Sequence, residues 1–203
     1  DIDPVRFIGN HSSGKMGFAI ANAAANLGAE GYLISGPSSQ SIKHSLVHRI
    51  DVISAEEMYT AAHHCFNEVD IAILSAAVAD YKPKNSATQK IKKTDASLEI
   101  ELAHTKDILA SLGAIKNHQF LVGFALETNN EIENAKGKLK RKNLDAIILN
   151  SLQDKGAGFA TDTNKITIIG KDFSLKTFEL KSKAAVAVDI INEILQSIKK
   201  QDT

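Results

Sequence analysis

Eight residues, Asn10-His11-Ser12-Ser13-Gly14-Lys15-Met16-Gly17, have the types and spacing of a phosphate-handling loop that opens a helix. Small residues let backbone amides approach an anion, and the amino end of a helix favours negative charge. With Gly9 the segment fits the glycine-x4-glycine-lysine half of a P-loop. Met16, however, stands where magnesium needs a hydroxyl, and Pro4 to Ile8 make a poor central strand. A true P-loop is disfavoured. On these residues alone, an N-cap loop in which Ser12 or Ser13 merely satisfies helix amides weighs about as much as an anion site.

Ser75-Ala76-Ala77-Val78-Ala79-Asp80 leaves a buried strand as a run of small residues. Such a run lets a ligand lie against backbone, and Asp80 could meet ribose hydroxyls or magnesium. For this segment alone, a tight strand exit with a solvated aspartate is the stronger account. Lys82, Lys84, Lys90, Lys92 and Lys93 crowd one polar loop. Solvation explains such a run; a mobile flap that brings a lysine onto a triphosphate is the functional alternative. Lys136, Lys138, Lys140, Arg141 and Lys142 gather at a helix carboxyl end, where the dipole favours cations anyway. His63, His64 and Cys65 sit mid-helix without a partner histidine at ligand spacing, and read as surface and core residues. Phe124 reads as core, although Gly123 beside it leaves room for a ring.

The chain carries 24 basic and 24 acidic residues, so no net field draws it onto nucleic acid or anionic membrane. The single cysteine excludes an intrachain disulfide and a cysteine-based zinc cluster, and points to a reducing, cytoplasmic compartment. No apolar run approaches membrane-spanning length. A chain of 203 residues fits one domain. Its loop-like opening, Asp1-Ile2-Asp3-Pro4, is expected to be a cut from a longer protein.

These groups must be positioned by strands and helices, which alternate along the chain. The first helix is predicted from about Gly14 to Leu27, with Gly28 as its stop. Gly31 to Ser35 and Val47 to Ile53 read as strands. Ser54 caps the next helix, with Glu56 and Glu57 in its first turn. Ile71 to Leu74 is the clearest buried strand, and Leu98 to Leu102 alternates as a half-exposed one. A short helix around Asp107 to Leu112 and a buried strand from Phe120 to Ala125 follow. Next come a helix from Asn129 to Lys142 and a central strand from Leu144 to Leu149. Lys165 to Ile169 and Ser174 to Leu180 suggest a hairpin, and Ser182 caps a closing helix to about Ile198. The predicted fold class is α/β: a Rossmann-like open, mostly parallel sheet with flanking helices and an antiparallel excursion between Asp80 and Leu102. Ligands bind such sheets beyond the carboxyl ends of the strands.

Taken in order, Asp3 to Ile8, Asn10 to Gly17, Ala76 to Tyr81, Lys90 to Lys93, Gly123 to Thr128, Lys142 to Asp145, Gly158-Phe159 and Asp162 to Asn164 resemble one family. It is the phosphopantothenoylcysteine synthetase family of coenzyme A biosynthesis, in the bacterial form that is usually half of a bifunctional synthetase/decarboxylase. The resemblance covers nearly the whole chain. It implies a CTP-dependent ligase joining 4′-phosphopantothenate to cysteine through an acyl-cytidylate. Mg2+ would accompany CTP, with its ligands unassigned, and FMN would enter only if a decarboxylase domain precedes. A homodimer built on the antiparallel excursion is also implied. Carried over, Asn10 and Lys90 are the catalytic residues. Arg6, Ser12, Ser13, Gly14 and Ala77 join Asn10 in binding the substrates. Leu74, Ser75, Ala76, Asp80, Lys90, Lys106, Asp107, Ile108, Leu109, Phe124, Lys138 and Lys142 form the nucleotide pocket. Lys106 stands where the family commonly has proline, and the family's first strand, with its Gly-Gly-Thr turn, does not precede Asp3.

Two rival classes stand beside this one. Ser13 to Gly17 vaguely resembles a dinucleotide-binding turn of an NAD(P)-dependent oxidoreductase, but Glu30 lies too early for the ribose-binding acid. A non-catalytic nucleotide-binding module is the other.

Overall fold

A computed structural model describes residues 1–93, 97–151 and 161–201 of the chain. The elements are α1 (Lys15–Asn26), β1 (Gly31–Ser35), β2 (Val47–Asp51), α2 (Ala55–Phe66), β3 (Ile71–Leu74), β4 (Tyr81–Pro83), β5 (Leu102–His104) and α3 (Ile108–Ile115). They continue as β6 (Phe120–Glu127), α4 (Glu131–Arg141), β7 (Ala146–Ser151), β8 (Thr163–Gly170), β9 (Leu175–Ser182) and α5 (Lys183–Gln201). The main sheet has the order β3-β6-β7-β8-β9, with β3, β6 and β7 parallel and β8 and β9 antiparallel. β1 and β2 form a separate parallel pair, and β4 and β5 an antiparallel ribbon.

The period of two along the central strands decides the layering. Phe120, Val122, Ala146 and Ile148 face a cluster completed by Ile20, Val186, Ile190 and Ile194 of α1 and α5. Leu121, Ala125, Ile147 and Leu149 face the opposite cluster with Phe66, Leu112, Ala135 and Leu139 of α2, α3 and α4. Helices thus cover both faces, which is why β6 and β7 read as continuous apolar runs. The predicted Rossmann-like sheet with flanking helices is the observed architecture.

Local chemistry sets the element ends. Ser54 caps α2 by accepting from the Glu57 amide, and Glu57 reaches back to accept from the Ile53 amide at 2.9 Å. This reciprocal pair is a capping box. Gly28, with φ 90°, ends α1 in the left-handed region that favours glycine. At the amino end of the sheet, Lys116 and Asp145 pair at 2.7 Å, and Asp145 also accepts from the Leu121 amide.

Of the boundaries that differ from expectation, two have a clear local cause. The segment predicted as a strand from Leu98 to Leu102 is a strand only over Leu102–His104. It has no apolar surface to lie on, since Leu98 and Leu102 remain exposed, and its partner β4 is only three residues long. The second strand ends at Asp51 rather than Ile53, because the Val52 amide turns to the Ser35 carbonyl and Ser54 already caps α2.

Candidate functional site

Near the carboxyl ends of β3 and β6, side chains from the loop before α1, the exit of β3, the start of α3 and α4 make a set of polar contacts. Gly14 precedes α1 at φ 77°, and no side chain caps the helix. The amino end of such a helix favours negative charge. A Cβ on Gly14 would come within 2.9 Å of Ser38 Oγ, and Ser38 Oγ donates to the Ser13 carbonyl at 2.7 Å. A Cβ on Gly17 would meet Ser75 Oγ at 3.1 Å, so a bare glycine lets α1 approach the end of β3. Lys15 turns away to pair with Asp162 at 2.5 Å.

Asn10 crosses from this loop to the β3 exit. Its amide donates to the Ala77 and Val78 carbonyls, both at 3.3 Å. The exit itself is held by Thr105, whose hydroxyl donates to the Ala79 carbonyl and whose amide donates to the Asp80 carbonyl. Leu74 closes β3, and Ser75 and Ala76 continue it, with Asp80 exposed at the far end.

The other side is charged. Asp107 caps α3 by accepting from the Ala110 amide at 3.0 Å, and its second oxygen pairs with Lys142 at 2.6 Å. Burial raises its carboxyl, but Lys142 and the Ala110 amide outweigh that and hold it below the usual carboxylate range. Lys138 donates to the Phe124 carbonyl at 2.7 Å. Burial, then Lys142, push Lys138 below the ordinary lysine range, while Glu127, Asp107 and Asp80 pull it back up. Two half-buried lysines beside one another form a locus for negative charge.

Several expected residues lie elsewhere. Lys106 turns away to pair with Glu56 and cover the Tyr59 ring at 4.5 Å. Ile108 and Leu109 are buried in the core. Arg6 is engaged by Asp3 and by the Ile91 carbonyl. The space expected beside Phe124 for a ring is filled: a Cβ on Gly123 would meet Leu109 Cδ2 at 2.6 Å and Leu144 Cδ1 at 3.0 Å. Phe124 itself packs on the α1–α5 side of the core. Lys90 is exposed on the polar loop, one residue before Ile91. His63 bonds Ser111 at 2.9 Å and stacks on Tyr59, in keeping with a packing role. Among the described residues no group of three or more His, Cys, Asp or Glu could hold a metal. Gly158-Phe159 lies outside the described residues, whereas Asn164 is buried and donates to Asn150.

Sequence reasoning missed Asp3, Ser38, Thr105 and the Lys15–Asp162 pair. Only Asp3, in an Asx-like turn before Pro4-Val5-Arg6, carries a local signal. The others meet their partners only through the fold.

Residues 1–198 match the family model described as the DNA/pantothenate metabolism flavoprotein C-terminal domain. A cysteine/cysteine sulfinic acid decarboxylase from an unknown prokaryotic organism is 55% identical over 96% of this chain and 54% of its own length. The coenzyme A biosynthesis bifunctional protein CoaBC of Bacillus subtilis (strain 168) is 46% identical over 95% of the chain and 48% of its own length. The chain thus spans about half the length of these relatives. Among solved structures, the C-terminal domain of a coenzyme A biosynthesis bifunctional protein CoaBC matches with TM-score 0.82 and 41% identity. That match covers 98% of this chain and 92% of the other.

These matches correct the synthetase assignment. The family is described as part of a flavoprotein, and the 55% identical relative is named for decarboxylation. None of these names is that of a CTP-dependent ligase, so the ligase activity goes, and with it CTP, its magnesium and cysteine as the amide-forming partner. The misassignment rested on an ordered set of short motifs, none of which by itself specifies a reaction. The chain belongs to the DNA/pantothenate metabolism flavoprotein C-terminal domain family.

Proposed function

We propose that this chain is one half of a two-part flavoprotein of coenzyme A biosynthesis, and that its own task is to bind a phosphorylated, carboxylate-bearing derivative of pantothenate. The observation that carries this is a cluster of groups suited to negative charge near the carboxyl ends of β3 and β6: a helix start with no side-chain cap, the Asn10 amide, and Lys138 and Lys142. Decarboxylation, for which the 55% identical relative is named, belongs in this reading to the whole protein. In the chain's own share, Asn10, Ser12, Ser13, Gly14 and Ala77 line the ligand. Lys138, Lys142 and the flap residue Lys90 neutralise its charge, and Leu74 to Ala76 present backbone.

The family description implies a flavin, and the described residues of this cluster do not fit its ring. An isoalloxazine needs an apolar slot, yet the one glycine gap beside an aromatic is already filled by Leu109 and Leu144. Tyr81 and His104 stack on each other on the exposed ribbon instead. We assign the flavin to the part of the protein this chain does not span. The purified chain is expected to take up no FMN but to bind 4′-phosphopantothenate by calorimetry. Stoichiometric FMN on the chain alone, or binding of NAD(P) in place of 4′-phosphopantothenate, would overturn the assignment.

A pH dependence follows from Lys138. Its charged form is penalised in the fold, so folded chains release this proton at lower pH than unfolded ones, and stability gains as pH rises through that window. Anion affinity moves oppositely. Calorimetry across the alkaline range should show affinity falling before the ordinary lysine value of about 10.4 is reached. Lys138→Arg should remove that early decline, since guanidinium keeps its charge. Constant wild-type affinity up to that value would exclude Lys138 from the ligand.

No helix among the described residues is long and apolar enough to cross a membrane. The cytoplasm suits a chain whose lone cysteine is free and buried. A homodimer through the β4–β5 ribbon is supported by exposed Tyr81 and Leu102 on it, with Leu98 exposed on the segment that leads into β5. The chain forms a single domain in which one further strand would complete the sheet. β1 and β3 each have an edge that pairs with no described strand, and apolar β3 stays only half-buried.

A further inference from the structure

Resting on the reading of the cluster as an anion site, we propose that Asp3 is a positioning residue that locks the flap bearing Lys90 to the lead-in of the Asn10 loop. The two would then meet an anion as one unit. Asp3 is only 2% exposed, although it lies in neither apolar cluster of the core. Its two oxygens divide the labour. Oδ1 accepts from the Val5 and Arg6 amides, each at 2.9 Å, and so shapes the turn. Oδ2 accepts from the Arg6 guanidinium and from the Ile91 amide at 3.1 Å, and so holds the flap.

Further ties run the same way. The Arg6 guanidinium donates to the Ile91 carbonyl at 3.0 Å, the Ala87 amide to the Ile2 carbonyl at 2.9 Å, and the Ser86 hydroxyl to the Asp1 carbonyl at 2.6 Å. Lys90 immediately precedes Ile91. Four residues after Arg6, Asn10 is fixed to the Ala77 and Val78 carbonyls at the β3 exit. The flap leaves that same exit through β4. It is therefore pinned where it begins and again at Ile91, and the second pin is the Asp3 carboxylate. Charge-assisted bonds of this kind are among the strongest a loop can use. This also accounts for Arg6, whose expected place among substrate ligands is taken by its bond to Asp3.

Asp3→Asn separates the two duties. It keeps one carbonyl oxygen for the turn amides and places an NH2 donor against the Ile91 amide and the Arg6 guanidinium. In the ligand-free chain, tryptic cleavage after Lys90, Lys92 and Lys93, located by mass spectrometry, should accelerate about tenfold because local opening becomes easier. Cleavage after Lys136 and Lys140 in α4 should stay at the wild-type rate. Arg6→Gln, which leaves the Ile91–Asp3 bond in place, should give a smaller increase of about threefold and serves if Asp3→Asn fails to fold. An unchanged flap rate in the folded variant, or an equal rise in flap and α4, would overturn the proposal. Adding 4′-phosphopantothenate should then protect the wild-type flap, with Asp3→Asn needing a higher concentration. If wild type gains no protection, the anion reading fails, while the ligand-free rates still judge Asp3.

Discussion

Gly113→Ala is expected to lower the melting temperature, against the usual gain from replacing a helical glycine. Alanine in mid-helix stabilises by about 1 kcal/mol relative to glycine. Here the added Cβ would stand 1.9 Å from the Lys142 backbone carbonyl oxygen, a distance no rotamer can relieve. α3 lies directly on the turn that follows α4, where Asn143 has φ 52° and donates from its side chain to the Gly113 carbonyl at 2.9 Å. Backbone must therefore move, and overpacking of this kind costs about 3 kcal/mol. The net loss of about 2 kcal/mol corresponds to a melting temperature lower by roughly 6 °C in a chain of this size. The same displacement shifts Lys142 from Asp107, so anion affinity should fall together with stability. Thermal unfolding by circular dichroism checks the first effect and calorimetry the second. A melting temperature at or above wild type would mean that helix propensity wins and that α3 and the α4 turn are not in contact.

The contrast between Gly113 and Ser54 shows what the sequence could and could not convey. Ser54 and Glu57 announce a helix start because the capping box is complete within four residues. The unbroken apolar run from Phe120 to Ala125 announces a strand covered on both faces for the same local reason. Gly113 looks like a flaw in a short apolar helix until Lys142, distant in sequence, is packed on it. Gly123 was read as room for a ring, and the room exists, but Leu109 and Leu144 occupy it. Of the cluster, the Asn10 loop was legible because glycines, serines and a lysine crowd eight residues. Lys138 and Lys142 were legible only as cations at a helix end. What remained hidden was direction. Lys106 sits next to Asp107 in sequence, yet it pairs with Glu56 while Asp107 pairs with Lys142. The reaction was not legible at all, because one fold serves many chemistries.

Asn10→Asp should weaken 4′-phosphopantothenate binding more than Asn10→Ala does. The Asn10 amide donates to two carbonyls, and a carboxylate can donate to neither. Alanine loses both bonds, worth about 1 kcal/mol each, and the ligand must then re-order the freed loop itself, so affinity is expected to fall by up to roughly tenfold to thirtyfold. Aspartate loses the same bonds and then sets a negative charge against the Ala77 and Val78 carbonyl oxygens. It also places that charge beside the uncapped start of α1, where the ligand's own negative charge belongs. The helix amides can turn to the new carboxylate and become blocked to the ligand. The combined effect is a loss of roughly hundredfold or more. Raising the salt concentration should narrow the gap between the two variants, because only the aspartate carries a screened repulsion. Both variants should also melt up to roughly 6 °C below wild type, and by similar amounts, since each loses the same two bonds to the β3 exit. Equal affinities for the two variants would separate Asn10 from the anion and leave it as a brace of the β3 exit alone.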